Sequence, residues 1–394
     1  MAEKSKSGQL YLNFDEYRKV SEPDKREKAT YWRAAIGLQD VDGLKVSDYL
    51  RQTAVRHIEG DITIDEVRDE LRNYYNSKTA HDNDDEDKAE ADKVAANITK
   101  LLSEKSFSLA PYEMLNIHRR IFEGVFKHAG EIRTYDITKK EWVLKGDTVT
   151  YGRAEDIMMA LKYDIEGERD FNYAGLGTEE IINHIATFVS LLWQNHPFPE
   201  GNTRTTAVFL IKYLCSCGFD VNNDLFEENS WYFRNALVRA NYNNPMKGGA
   251  RDKSFLIKFL ENLLMDKHHE LKNRSMLIGD PELPTHTSTH TSKDENTHTS
   301  THTSTSNILL PKSENVRNLV SALGHNEMTV KEMMEAVGLK NRPNFMDYSL
   351  SPAITEGFVR MLYPESPRHP RQRYLLTVKG QMTYSEIMKM ENKR

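Results

Sequence analysis

The sequence predicts a mainly α protein: a helical domain carrying a β-hairpin flap, followed by a winged-helix domain at the C-terminal end. Three observations carry that prediction. Apolar residues follow a helical period through most of the 170 residues after Val94. One stretch, 131–152 (EIRTYDITKKEWVLKGDTVTYG), breaks the period with alternating and β-branched residues. A Thr/His/Ser tract at 284–306 separates the helical region from a C-terminal segment of different charge.

Residues 1–43 are polar and charged, and read as a lead-in with a helix around Tyr31–Leu38. Residues 44–80 form a helical hairpin. Its first helix has Leu44, Val46, Tyr49, Leu50 and Val55 near a helical period and ends at Gly60, a residue suited to a left-handed C-cap. Its second opens with the capping box Thr63/Glu66 and places Val67, Leu71 and Tyr74 on one face. The acidic run HDNDDEDKAEAD (81–92) reads as a solvated loop or helix start.

The helical domain spans 94–270, with helices expected at 94–104, 111–124, 154–164, 178–194, 202–217, 229–242 and 252–266. Within 131–152, Lys145-Gly146-Asp147 supplies a turn, and the segment reads as a β-hairpin or extended flap. Residues 284–306 are too polar to offset the entropy of ordering and are expected to be a disordered linker. Its four histidines (His286, His290, His298, His302) could bind metal, but read better as a slipped repeat.

Residues 307–394 hold 13 Lys+Arg and 9 Asp+Glu, a net of +4, which leaves −10 on the rest of a 394-residue chain of net charge −6. Thr329 caps a helix to Val337. Arg342–Glu356 is a second helix, despite Pro352. Phe358–Tyr363 and Tyr374–Val378 flank a basic turn, PESPRHPRQR. That is a winged-helix pattern.

The acidic balance argues against coating of nucleic acid by the whole chain and leaves local basic patches open. Two cysteines, Cys215 and Cys217, are too few and too close for a disulfide framework, which fits a reducing cytoplasm. No apolar leader opens the chain and no run of about 18 apolar residues occurs, so neither a signal peptide nor a membrane span is expected.

The chemistry concentrates in one segment, His196-Pro197-Phe198-Pro199-Glu200-Gly201-Asn202-Thr203-Arg204, between two apolar helical stretches. Pro197 and Pro199 stop the first helix. Gly201-Asn202 allows a tight entry to the next, whose first amides make an anion site. Arg204 can fork onto phosphate oxygens. Glu200 is a hard oxygen ligand suited to Mg²⁺ on a nucleotide phosphate. His196 suits a general base near neutral pH. A loop between helices also uses such residues for capping and turning alone.

At these residues the sequence resembles the Fic-domain family, whose signature is His-x-Phe-x-(Asp/Glu)-Gly-Asn-(Gly/Lys)-Arg-x-x-Arg. It matches at His196, Phe198, Glu200, Gly201, Asn202 and Arg204. Residues 117–133, 139–152 and 231–242 also look like the family's pre-flap helix, flap and adenine-side helix. The match spans roughly 44–266, and winged helices commonly accompany such domains.

The resemblance implies a protein adenylyltransferase using ATP and Mg²⁺. AMP would pass to a Ser, Thr or Tyr hydroxyl of a target protein, with release of pyrophosphate. It implies that His196 deprotonates the hydroxyl and Glu200 holds Mg²⁺. Gly201, Asn202 and Thr203 would present the anion cradle, and Arg204 would clamp phosphate. Asn241, with Phe233 nearby, would face adenine, and the flap, through Thr148, Val149 and Thr150, would hold the target segment extended.

Two residues depart from the pattern. Thr203 stands where the family has Gly or Lys, and Ala207 stands where its second Arg grips the γ-phosphate, so another cation must substitute or triphosphate orientation weakens. Family members often carry an inhibitory Glu that pairs with that second Arg. Here VRHIEG (55–60) offers Glu59, which either reaches Arg204 or is only a helix-terminal residue.

Two rivals remain at this point. One is a Fic-fold enzyme moving phosphate or another nucleotide. The other is a nucleotide-sensing, DNA-binding regulator. For the winged helix, Arg342, Arg360, Arg368, Arg371 and Arg373 form the basic set toward DNA, with a protein partner as the alternative. A homodimer is compatible with the sequence. Trp193, Phe188, Phe209 and Leu210 are expected in the core, His184 as a satisfied core histidine, and the cysteines as inert. His268-His269 read as capping or solvated. Tyr135, Tyr151 and the linker threonines are candidate self-modification sites.

Overall fold

A computed structural model describes Phe14, Tyr17 and residues 22–77, 83–221, 224–247, 249–279 and 310–392. The 284–306 linker and most of residues 1–21 lie outside the described residues.

Ten helices build the larger core: α1 (Pro23–Gly37), α2 (Asp48–Glu59), α3 (Ile64–Ser77), α4 (Asn83–Ser103), α5 (Pro111–Ile121), α6 (Ile157–Arg169), α7 (Thr178–Asn195), α8 (Asn202–Ser216), α9 (Asp224–Asn241) and α10 (Ser254–Met265). α8 is the central rod. Every residue from Asn202 to Leu214 is buried, so it is covered on all sides by its neighbours. Even Lys212 is inside, where its ammonium donates to the carbonyls of Leu101 and Glu104 at the end of α4. Those carbonyls have no acceptor role left within the helix, and the cation meets the negative end of its dipole.

The N-terminal hairpin forms as its caps predict. Gly60 is left-handed (φ 89°), and Thr63 and Glu66 exchange the expected capping bonds. α1 begins at Pro23, eight residues before the expected start, because Pro at the first turn is pre-set for a helix and lacks only a donor that would be unpaired there. Its Arg33 pairs with Glu227 of α9 at 2.5 Å. From Asn83 on, the acidic run forms the first half of α4 and ends in Asp92, whose carboxylate is buried and accepts from Ser47 and Tyr75.

The flap differs from expectation. Among the described residues, 131–152 contains no β-ladder. The turn exists, with Lys145 and Gly146 both left-handed (φ 50° and 87°) and two backbone bonds across it, Glu141 N–H to Asp147 O at 2.9 Å and Gly146 N–H to Glu141 O at 3.0 Å. Beyond those bonds, a short 3₁₀ turn at Trp142–Leu144 rolls Val143 and Leu144 into the core. The Lys139 amide then bonds the Thr148 hydroxyl instead of a facing carbonyl. Burial of two apolar side chains therefore outweighs further ladder bonds.

The C-terminal unit has its own core, including Val316, Leu319, Leu323, Phe345, Leu350, Phe358 and Leu376. It comprises α11 (Glu314–Leu323), α12 (Val330–Ala336), α13 (Arg342–Phe345), a π turn (Met346–Leu350), α14 (Ser351–Thr355), β1 (Val359–Met361), β2 (Tyr374–Leu376) and α15 (Val378–Glu391). β1 and β2 are antiparallel with Arg360 opposite Leu375, and Met328 bridges Tyr374. Pro352 is accommodated because the wider π turn precedes it, which removes the need for its missing N–H. α11 and α15 were not anticipated.

This unit seats against the end of α8. Gly218 and Gly357, both left-handed, meet so closely that a Cβ on either would lie about 2 Å from the other's carbonyl oxygen. The Lys379 amide donates to Cys217 O, and Thr178 donates to Glu386 at 2.7 Å. Gly218→Ala is therefore expected to cost about 2–4 kcal/mol, from overpacking and a left-handed Cβ together. Chemical denaturation checks the magnitude. Amide exchange at Lys379 should accelerate, and unchanged exchange there would contradict the contact.

Candidate functional site

The His196–Arg204 bend lies between α7 and α8, as the two prolines and the glycine require. His196 itself caps α7 in the left-handed conformation (φ 46°, ψ 60°), a strained position for a non-glycine residue. Arg133 holds it there. This guanidinium is 2% exposed, and Nε donates to His196 O at 2.7 Å while Nη2 donates to Asn195 O at 3.2 Å. The same side chain donates to Tyr135 O and Gly152 O, so one cation joins the flap to the bend.

The rest of the bend is closed by the Asn202 amide. Its Nδ2 donates to Phe198 O at 2.7 Å, and its Oδ1 accepts the Phe198 N–H at 3.0 Å. Gly201 enters α8 with φ 71°, and a Cβ there would strike the Phe122 ring at 2.2 Å. His118 stacks on Phe198 with centroids 3.7 Å apart. Its Nδ1 accepts the Gly130 N–H, so its Nε2 carries the proton and donates to Glu200 O at 3.2 Å. Those two bonds need the neutral ring.

The His196 imidazole is 3% exposed. Tyr151 covers it at 4.3 Å between centroids, and Trp193 lies edge-on at 5.3 Å. Neither ring nitrogen has a hydrogen-bond partner among the described residues. Burial, then the nearby charge of Lys139, with Arg133 and Arg234 further contributing, hold its pKa well below the usual histidine value. The ring is thus neutral at pH 7, with a lone pair open to a proton. Tyr151 is positioned by Glu141, which accepts its hydroxyl at 3.0 Å and pairs with Arg234 at 2.7 Å.

The other expected residues fall as follows. Glu200 is exposed, and its carboxylate has no partner among the described residues, which suits a hard cation shared with phosphate oxygens. Thr203 is not merely a crowded glycine position: its hydroxyl accepts Trp193 Nε1–H at 3.0 Å and ties α7 to α8. Arg204 is 2% exposed and already engaged. Glu90 lies 2.8 Å from Nη2, Asp42 2.8 Å from Nε, Gln39 accepts from Nη1, and Phe122 packs beneath at 4.8 Å. Ala207 is fully buried in the core.

Phe233 packs with Phe226 and Phe259 inside the core, and Asn241 donates to Ser190 O and Leu237 O. Neither is brought beside His196. Of the flap residues, Val149 is buried, Thr148 bonds the Lys139 amide, and Thr150 is exposed. Glu59 does not reach Arg204. It pairs with Lys25 at 2.7 Å and accepts from Tyr17 at 2.5 Å. Tyr135 is exposed and Tyr151 buried, so only the former offers an open hydroxyl. His184 is satisfied by Glu168 at 2.7 Å, as expected of a core histidine.

Sequence reasoning missed Arg133, His118, Glu141, Asp42 and Glu90. Their only prior signal was charge in a segment otherwise apolar or flap-like, which does not identify a partner distant in the chain.

Burial pushes His118 down to about 3 and His57 down to about 4. The folded state keeps both neutral, while the unfolded chain takes up protons below about pH 6.5. Their contribution is complete above that pH and is lost as pH falls toward 4 and then 3. Between pH 6 and 4.5, His118→Gln should reduce the pH slope of unfolding free energy by about 1.4 kcal/mol per pH unit, one proton. Urea titrations across that window check it.

Residues 108–214 match the family model for the Fic/DOC family. Residues 314–377 match the model for the C-terminal domain of Fic-like proteins (filamentation induced by cAMP). A curated relative, the protein adenylyltransferase VbhT of Bartonella schoenbuchensis, is 26% identical over 161 residues, 41% of this chain. The chain spans about a third (32%) of that relative's length. A crystal structure of a Fic family protein from Desulfovibrio desulfuricans aligns over 91% of this chain and 97% of its own, at 14% identity and a TM-score of 0.36. By the two family models, residues 108–214 form a Fic/DOC family domain and residues 314–377 a Fic-like C-terminal domain of helices and a small sheet.

Proposed function

We propose that this chain is a protein adenylyltransferase, moving AMP from ATP to a hydroxyl side chain of a target protein. The observation that carries the reading is the neutral His196 imidazole. Among the described residues neither of its nitrogens has a partner, the charges of Lys139, Arg133 and Arg234 act on it, and it sits one short bend before the N-terminus of α8. An unpaired base beside concentrated positive charge suits deprotonation of an alcohol next to a phosphate ester.

In this reading a ring nitrogen of His196 takes the hydroxyl proton as the oxygen attacks the α-phosphorus. The new O–P bond forms while the bond to the bridging oxygen breaks, and pyrophosphate leaves with that electron pair. Glu200 would hold Mg²⁺, which supplies charge neutralisation on the phosphates. The leading amides of Asn202 and Thr203 would donate to phosphate oxygens. Arg133 keeps the imidazole oriented. Because the Tyr151 ring covers His196, nucleotide and target reach the imidazole only when that ring shifts.

The name of the VbhT relative and the Fic/DOC match support nucleotide transfer as the reaction class. Incubation with α-labelled ATP and Mg²⁺ tests the reading. Protein-bound label is expected with wild type, and His196→Ala should lower its rate at least about a hundredfold. Glu59→Gly should stay within about twofold, since Glu59 is paired elsewhere. Label carried by γ- but not α-labelled ATP would replace AMP with phosphate as the transferred group.

For the C-terminal domain the proposed partner is duplex DNA, contacted by exposed Arg342, Arg360, Arg368 and Arg371. With about four phosphates neutralised, log affinity should fall against log salt with a slope of about −3 to −4. Binding that is absent at low salt would exclude this partner.

A further inference from the structure

The His196 imidazole has two open nitrogens and almost no exposed surface. Two aromatic rings account for that. Trp193 stands edge-on at 5.3 Å, and its Nε1–H is fixed on Thr203 Oγ1 at 3.0 Å, between α7 and α8. Tyr151 lies across the imidazole at 4.3 Å, tilted by 47°. The first ring is bound into the helix pair that carries the bend. The second is held differently.

The backbone on either side of Tyr151 is tied to the last turn of α7. Thr150 O accepts from Gln194 Nε2 at 2.9 Å, and the Gly152 N–H donates to Gln194 O at 3.0 Å. Gly152 O accepts from Arg133, and a Cβ on Gly152 would come within 3.1 Å of Asn195 O. Lifting this segment would break all of these contacts. The Tyr151 side chain, by contrast, has one polar tie among the described residues: its hydroxyl donates to Glu141 Oε1 at 3.0 Å. Glu141 is itself buried, which is costly for a carboxylate unless it is paired. Arg234 of α9 supplies the pair, with nitrogens 2.7 Å from Oε2 and 3.2 Å from Oε1, and its guanidinium rests over the Trp231 ring at 5.2 Å.

Resting on the adenylyltransferase reading, we infer that Tyr151 is a gate over the base, and that the Glu141–Arg234 pair is the latch that holds it shut. The ring turns about its own side-chain bonds between discrete rotamers while its backbone stays on α7. Closed, it keeps water from an unpartnered base until nucleotide and target arrive. Tyr151 neither gives nor takes a proton in this role.

The test uses full-length protein at pH 7 without nucleotide. Diethyl pyrocarbonate acylates neutral, accessible imidazole nitrogens, and peptide mass mapping reads the rate at His196. His268, whose side chain is 80% exposed, is the reference in the same sample. Wild-type His196 should react far more slowly than His268. Tyr151→Phe keeps the ring and removes the latch bond. It should raise the His196 rate roughly 10–100-fold, the range of one hydrogen bond to a charged group, with His268 unchanged. Tyr151→Ala removes the cover and should raise it at least as much. A Tyr151→Phe rate within about twofold of wild type overturns the latch even if Tyr151→Ala opens the site. Wild-type His196 reacting as fast as His268, or staying protected in Tyr151→Ala, overturns the gate. These outcomes leave the adenylyltransferase reading in place. Absence of label from ATP overturns that reading while the acylation rates still report the cover. Near-ultraviolet dichroism verifies that each variant keeps its fold.

Discussion

The Arg133 guanidinium is the contact on which the rest of the site depends. A buried cation satisfied chiefly by carbonyl oxygens, with the exposed Asp136 carboxylate 3.8 Å away, is costly to desolvate, yet hydrogen bonds from a charged donor contribute about 1.5–3 kcal/mol each. Four carbonyls receive its donors, and its own backbone N–H reaches Pro197 O at 2.9 Å. A left-handed non-glycine residue costs about 1–2 kcal/mol. The set of bonds outweighs that penalty, so His196 stays where α7 stops and the bend begins. Removing the clamp would release the flap and the imidazole together, because they share it.

Charge is distributed unevenly around that clamp. Arg204 is neutralised by two carboxylates supplied from outside the motif: Asp42 on the turn after α1, and Glu90 on α4. The N-terminal helices thereby brace the start of α8. The bend itself holds a buried base whose two ring nitrogens have no partner among the described residues, an arrangement a folded core tolerates at a cost in stability.

The two ends of the chain act on the same central helix. α8 begins at the functional bend and ends at Gly218, where the C-terminal unit docks through Gly357, Lys379 and Glu386. α8 is buried from Asn202 to Leu214, so its neighbours hold it along most of its length. Interior Tyr213, which bonds Glu168 beside Tyr173 and His184, braces the last turn of that rod.

Helices were legible from the sequence wherever a period or a cap declared them. The Thr63/Glu66 box, the Thr329 cap, the Gly60 stop and the prolines flanking Phe198 act within a few residues, so local chemistry decides them. The composition of the bend was equally local and pointed at once to an anion site. What only the tertiary structure decided was pairing across distance. It closed Arg204 with Asp42 and Glu90, sent Glu59 to Lys25, placed Phe233 in the core, and rolled Val143 and Leu144 inward at the expense of a hairpin. Partners separated by 100 residues meet only because helices pack in one particular arrangement. A charge or an aromatic ring is therefore known from its own position, and its role only from what the fold brings against it.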